Sequence, residues 1–262
     1  MPSANGPVRT GRTVPALKPL SRKTSADEAE RALFQAIADG AIPPGSPLRL
    51  QSLADQLDMS MMPIREAIRR LQSMGLVEIV PHRGAWVRPR TIRDLYDTYF
   101  TRIHLEALAM ATAARQLTPE ANEFARAALD ELQQVEKRGD AITYRAANER
   151  FHFALYEASG SVWLVHSIWP VWRNSERYRV ESMRNREHLT ERAREHAEML
   201  EALEGGDGGL AVRLIVSHLR SSAELVATSL EAVDDGALLD LPSAEDLVRG
   251  LVHESPGRAG AT

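Results

Sequence analysis

The sequence contains no cysteine. A disulfide framework, a thiolate zinc site and a cysteine nucleophile are therefore excluded, and any metal must be held by nitrogen and oxygen donors. No apolar run approaches the roughly 20 residues that a membrane-spanning helix needs. The first residues carry Pro7, Arg9 and Arg12 where a secretory signal would need an apolar core. Neither an H-E-x-x-H motif nor a nucleophile elbow occurs. What is left is the composition of an ordinary globular protein, with 44% hydrophobic and 26% charged residues among 262 and a formal charge of −4. That length suggests two domains, and a cytoplasmic protein with no membrane partner is expected.

Acidic residues are also missing from the first 25 positions, which hold Arg9, Arg12, Lys18, Arg22 and Lys23 for a local charge of +5, interleaved with four prolines. Residues 1–25 read as a disordered basic arm, either a solvated tail or an accessory DNA contact. From Asp27 the pattern is helical, with Ala29, Ala32, Leu33, Ala36 and Ile37 recurring until Gly40. Pro43, Pro44 and Pro47 then forbid helix or a central strand. Leu50, Leu53, Ala54 and Leu57 mark a second short helix. A third carries Pro63 in its first turn, where a missing N–H costs nothing. It gathers Ile64, Ala67, Ile68 and Leu71 on one face and leaves Arg65, Arg69 and Arg70 off it. Leu76 to Val80 and Ala85 to Val87 are β-prone runs joined by Pro81-His82-Arg83-Gly84, which reads as a hairpin. Three helices plus a hairpin make a winged helix-turn-helix over residues 26–90. Residues 61–90 hold six arginines against two glutamates, a net charge of +4, so positive charge gathers on the helix and hairpin that would face DNA phosphates.

Beyond residue 90 helical periodicity continues with almost nothing β-prone. Six helices are expected at about 91–116, 118–138, 140–158, 160–178, 188–204 and 208–230. Together residues 91–232 form an all-helical bundle large enough to fold alone. Residues 233–262 read as a loose C-terminal tail with one short helix at Ala244–Val252. The fold class is mainly α.

In the bundle, His152, His196 and His218 each lie on or beside an apolar stripe of a different helix. A single histidine in such a place is usually a packed core residue. Three of them, with Asn148 one turn before His152, form a convergent set. Neutral imidazoles suit a divalent ion such as Zn or Ni, and three of them leave positions open for water or a carboxylate. The alternatives are a ligand pocket without metal, and histidines that serve only the core.

The run Ser60-Met61-Met62-Pro63-Ile64-Arg65-Glu66-Ala67-Ile68-Arg69-Arg70-Leu71, with Pro44-Gly45 before it and Gly75-Leu76-Val77 and Arg83-Gly84 after it, resembles the GntR family of bacterial transcription regulators. The bundle resembles that family's FadR-type C-terminal domain through Asn148-x-x-Phe151-His152, Glu195-His196 and His218. The resemblance implies a homodimer that binds an inverted-repeat DNA operator, usually as a repressor, and answers to a small organic acid. It places Ser60, Met61, Met62, Arg65, Arg69 and Arg70 on the recognition helix and its cap, and His82, Arg83 and Gly84 at the wing tip, all against DNA; the alternatives are that one of Arg69 and Arg70 pairs with a carboxylate instead, and that the wing tip is a plain hairpin turn. Arg102 and Glu106 match the family's R-x-x-x-E pattern. They are either a surface i, i+4 pair or a device by which Arg102 forks an effector carboxylate.

Two departures from the family pattern carry chemistry. Met61-Met62 replaces the usual Arg-Thr, and a methionine can meet a thymine methyl but cannot donate to guanine or phosphate. Asn148 replaces the usual Asp, so a metal held here would keep one more unit of positive charge for an anionic ligand. Rival readings are a metal-dependent enzyme built on the histidine cluster and a DNA-binding protein whose bundle has lost its ligand. Catalysis is not expected, because no second carboxylate of evident catalytic role accompanies the histidines.

Overall fold

The computed structural model describes residues 24–138, 141–182, 186–230 and 240–252. Helix α1 (Ser25–Ala38) starts two residues before the apolar pattern does. Thr24 and Asp27 form a capping box, in which the Thr24 hydroxyl accepts from the Asp27 N–H (3.2 Å) and the Asp27 carboxylate accepts from the Thr24 N–H (2.8 Å). Strand β1 (Pro47–Leu48), α2 (Leu50–Leu57), α3 (Met61–Ser73), β2 (Val77–Val80) and β3 (Gly84–Val87) follow. The three strands form an antiparallel sheet in the order β1-β3-β2. The prolines do exclude helix and a central strand, but the sequence reading missed β1. Pro47 is tolerated there because β1 lies at the sheet edge, where a missing donor breaks no ladder. Ile64, Ala67, Ile68 and Leu71 are all buried, packed with Leu33, Phe34, Leu53, Leu76 and Val87. This is the winged helix expected from the sequence.

The remaining helices are α4 (Ile92–Gln116), α5 (Pro119–Arg138), α6 (Ala141–Glu157), α7 (Val162–Ser182), α8 (Arg186–Glu204), α9 (Gly208–Ser229) and α10 (Ala244–Val252). Helix α4 is about 37 Å long at 1.5 Å per residue, and it packs against α6, α7, α8, α9 and α10. Its buried stripe of Leu95, Tyr99, Ile103, Ala107 and Met110 is the axis of a second core that includes Phe151, Tyr156, Trp172 and Leu200. Helix α10 coincides with the short helix expected in the tail and docks on α9 and α4. Arg220 fastens the segment before it by donating to the Leu241 carbonyl (2.6 Å). The basic arm up to residue 23 and the rest of the tail, residues 231–239 and 253–262, lie outside the described residues. Among the described residues no helix is long and apolar enough to cross a membrane.

The two cores meet across α7. The Arg173 guanidinium lies 3.6 Å from the Phe34 ring centroid on α1, and Asn174 donates to the Met74 carbonyl (3.1 Å) at the C-cap of α3. Arg177 donates to the carbonyls of Arg88 (3.1 Å) and Pro89 (3.3 Å) and pairs with Asp94. From α6, Arg145 reaches Asp39 at 2.9 Å. Gly75, just past α3, has φ +73°, and a Cβ there would stand 2.5 Å from the Asn174 side chain. Gly75→Ala should therefore destabilise the protein by about 1–2 kcal/mol through the left-handed backbone alone, with the Asn174–Met74 bond strained in addition. Chemical denaturation checks this, and an unchanged midpoint would show that the junction yields without cost.

Candidate nucleic-acid interface and metal centre

The cationic face of the winged helix follows from its core. Because Ile64, Ala67, Ile68 and Leu71 point inward, Arg65 and Arg69 are left exposed on the opposite side of α3. Met61 is 44% and Met62 69% exposed at the helix start, and Ser60 is its N-cap residue without a side-chain cap bond. The N–H groups of the first turn are thus available to an anion. An open groove of about 520 Å³ separates α3 from the wing, and Arg49, Arg65, Arg69 and Arg83 line it together with Ile79 and Trp86. His82 (φ 62°) and Gly84 (φ 83°) shape the wing turn. Arg83 leans on the Trp86 ring, 5.8 Å from its centroid, while the Trp86 indole N–H donates to the Arg83 carbonyl (3.0 Å).

Arg70 differs from its neighbours. Its guanidinium is held by Asp27 (2.7 Å), Glu30 (3.2 Å) and Glu66 (3.3 Å). The expectation that Arg70 meets DNA gives way to a tie between α3 and the start of α1, since three carboxylates surround the charge that a phosphate would need. The Thr24 N–H and then Arg70 hold the Asp27 carboxyl down at about 2.

In the bundle, three helices bring His152 (α6), His196 (α8) and His218 (α9) together, all at most 3% exposed. Their ring centroids form a nearly equilateral triangle of 5.0, 5.1 and 5.2 Å. The Nε2 atoms of His152 and His196 stand 3.2 Å apart. Two nitrogens bound at about 2.05 Å to one tetrahedral ion would be about 3.3 Å apart. One ligand atom from each histidine can be chosen so that all lie within 4.8 Å of one another. Asn148 is completely buried one turn before His152, and neither its carbonyl oxygen nor its amide nitrogen has a hydrogen-bond partner. A buried amide in that condition costs stability unless something else satisfies it. The donor set fits a divalent cation.

His152 and His218 are each tied to further polar groups. The His218 Nδ1 faces the Glu195 carboxylate at 2.6 Å, which fixes Nε2 as the nitrogen offered to the centre. His152 Nδ1 lies 3.1 Å from the Tyr156 hydroxyl, which donates to Glu106. Glu106 in turn holds Arg102 through Nε (2.6 Å) and Nη2 (3.3 Å), and Arg102 Nη1 donates to Ser175 (3.1 Å) on α7. Both members of the Arg102–Glu106 pair are buried, so it is not a surface pair. Much of the fork that could grip an effector is occupied by Glu106. Burial opposes the charge on Arg102, but Glu106, together with Tyr99 and Tyr156, more than offsets it and pushes its pKa up, so the guanidinium stays charged. Tyr156, Ser175 and Arg192 escaped the sequence reading. Two of them had a visible signal, since Tyr156 and Arg192 each stand one helical turn from a histidine of the triad.

A winged helix with a basic groove, joined to an all-helical domain with a buried polar centre, is the architecture of a DNA-binding transcription regulator. The comparisons name the class further. Residues 25–87 match the family described as bacterial regulatory proteins, gntR family, and residues 97–221 match the FCD domain. The chain is 31% identical over 220 residues, 83% of its length and 95% of the relative's, to a probable D-xylose utilization operon transcriptional repressor of Paenarthrobacter nicotinovorans. The solved structure of E. coli McbR/YncC superimposes with a TM-score of 0.68 at 26% identity, covering 79% of this chain and 99% of that one. A regulator from Rhodococcus sp. RHA1, at 24% identity and a TM-score of 0.62, shares the fold. The chain belongs to the GntR family of transcriptional regulators, with an FCD domain.

Replacing Glu106 by Gln leaves the Arg102 charge buried beside a neutral partner. Glu106→Gln should lower stability by about 3–5 kcal/mol, as removal of one partner from a buried ion pair does. Urea denaturation is the measurement, and a loss below about 1 kcal/mol, the size of a surface pair, would mean that the pair is not sealed from water.

Proposed function

We propose that this regulator is a ligand-responsive repressor that binds an inverted-repeat operator as a homodimer and is released by a small carboxylate. The centre formed by Asn148, His152, His196 and His218 holds a divalent ion, Zn or Ni, that helps to receive the acid. The observation that carries this reading is the position of α7. One face of its segment 172–175 places Trp172 and Ser175 against Arg102, and Trp172 also against His152, while Asn174 holds the Met74 carbonyl at the end of the recognition helix. A shift of α7 on filling the centre is thereby felt at the DNA-binding helix. Pro170 within α7 removes one helical hydrogen bond just before this segment, which eases such a shift.

The relative named as a repressor supports repression. The dimer is supported by the exposed apolar side chains of Phe100 and Leu108, which lie on the outward face of α4 at i, i+8, and by the small footprint that one winged helix alone would make on DNA. The domain limits proposed are 26–90 for DNA binding and 91–232 for effector binding and dimerisation. Met61 and Met62 supply apolar contact to thymine methyls where related proteins place a charged donor. A cytoplasmic location follows from the DNA partner.

Arg65→Ala should weaken operator binding by about 1–3 kcal/mol and lower the salt slope by nearly one unit, with helical content unchanged. Fluorescence anisotropy across a salt titration is the measurement, and equal affinity at every salt concentration would remove Arg65 from the interface. For the effector half, protein purified without a His tag should carry a divalent ion that is lost in His196→Ala and His218→Ala. Genomic fragments retained by the loaded protein should be released by some members of a panel of short-chain carboxylic acids. A protein that cannot be loaded contradicts the metal, and retention indifferent to every acid contradicts the effector.

A further inference from the structure

The arginines of the winged helix fall into two sets. Arg70 is held by three carboxylates, and Arg88 pairs with Asp94 at 3.1 Å, so their charge is compensated within the protein. Arg49, Arg65 and Arg69 are exposed and, among the described residues, form no ion pair and no side-chain hydrogen bond. The Arg83 guanidinium leans on the Trp86 ring and meets no carboxylate. These four line the groove between α3 and the wing, and no Asp or Glu joins them there. Four uncompensated positive charges with no acid among them make a site for an anion. Arg65, Arg69 and Arg83 belong to the recognition helix and the wing tip. Arg49 belongs to neither, and its place in the groove comes from the strand that the sequence reading missed.

Strand β1 carries Arg49 to that place. Pro47 and Leu48 pair with Trp86 and Ala85 of β3. The Gly45 N–H donates to the Val87 carbonyl (2.9 Å), and the Val87 N–H donates to the Ser46 carbonyl (2.9 Å). Arg49 is the next residue, the N-cap of α2, with no side-chain cap bond. Arg49 and Arg83 thus come from the sheet and its turn, and Arg65 and Arg69 from α3. A duplex that takes α3 in its major groove and the wing in the adjoining minor groove must run one sugar-phosphate strand between them, because that strand is the wall between the grooves. Ile79, 48% exposed on β2, and Trp86 add an apolar side to the groove. A small inorganic anion would leave that side wet, whereas the C–H faces of deoxyribose can cover it.

We propose that the groove between α3 and the wing seats one sugar-phosphate strand of DNA, and that Arg49, carried there by β1, is a phosphate contact on it. The contact adds affinity without choosing sequence. A phosphate needs a point charge rather than a particular fork, so lysine should serve there nearly as well. The proposal rests on the DNA-binding function of the winged helix.

The test is fluorescence anisotropy of the full-length protein on two labelled duplexes, one enriched from a random pool by the wild type and one of arbitrary sequence. At about 0.1 M salt, Arg49→Ala should weaken binding to both about tenfold per subunit, and the slope of log K against log salt should fall by nearly one unit per subunit. Arg49→Lys should keep most of the affinity and of the slope. Arg31→Ala removes an exposed charge on α1 outside the groove and should change both much less. Helical circular dichroism checks the fold, and Arg49→Gln, expected to match the alanine variant, is the test if that variant loses helix. A loss confined to the enriched duplex, with lysine as weak as alanine, overturns the phosphate contact in favour of base reading. Unchanged affinity and slope in Arg49→Ala overturn the role of Arg49. An equal loss in Arg31→Ala overturns it too, since only the general field of the domain would then be at work. Failure of the wild type to bind either duplex overturns the DNA-binding function along with it.

Discussion

The helical domain is organised around charge that has no access to water. Arg102 and Glu106 sit in the middle of its apolar core, and each is tolerated only because the other is there and the surplus donors and acceptors are passed on. The chain runs from Ser175 through Arg102, Glu106 and Tyr156 to His152, crossing three helices. It therefore sets the rotation of α4, α6 and α7 about their axes in a way that interchangeable alanines and leucines would not. The imidazole of His152 inherits its orientation from that chain, as His218 inherits its own from Glu195. The histidine centre is thus less a separate feature than the open end of a buried polar network.

Much of this was readable from spacing. Single histidines on the apolar stripes of three helices foretold that His152, His196 and His218 lie close together, and their rings do. The winged helix was legible for the same reason, since a three-four repeat in Ile64, Ala67, Ile68 and Leu71 leaves only one way to face the core. That one of Arg69 and Arg70 could pair with a carboxylate was legible, but not that it is Arg70. It shares the polar side of the helix with Arg65 and Arg69, and only the crossing of α1 over α3, a tertiary fact, brings Asp27 and Glu30 to it. β1 was missed because proline argues against a strand by removing a donor, an argument that loses force at a sheet edge. The side-chain partners Tyr156 and Arg192 stood at helical spacing from histidines. Spacing alone does not tell a partner from a solvated neighbour on a surface helix, and burial had to decide.

The junction between the two cores is polar and built largely from one helix. Arg173, Asn174 and Arg177 meet the winged helix through a ring contact, a carbonyl at a helix end and the backbone of the connecting segment. Such contacts are directional, and they fix orientation without the bulk of an apolar seam. They can also be broken and remade at small cost, which is compatible with the proposed ligand response.

The crowding of two duties into residues 172–177 has a consequence for how such a protein diversifies. In most ligand-controlled proteins, a pocket can be remodelled while the output surface drifts on its own. Here Trp172 and Ser175, which touch Arg102, lie on the same short stretch of α7 as Asn174 and Arg177, which hold the end of the recognition helix and the connecting segment. Under the proposed function, changes of ligand preference should come paired with compensating changes at Gly75, Met74 or the linker, and a transplant of the histidine centre alone into another member of the family would carry a mistuned connection to DNA.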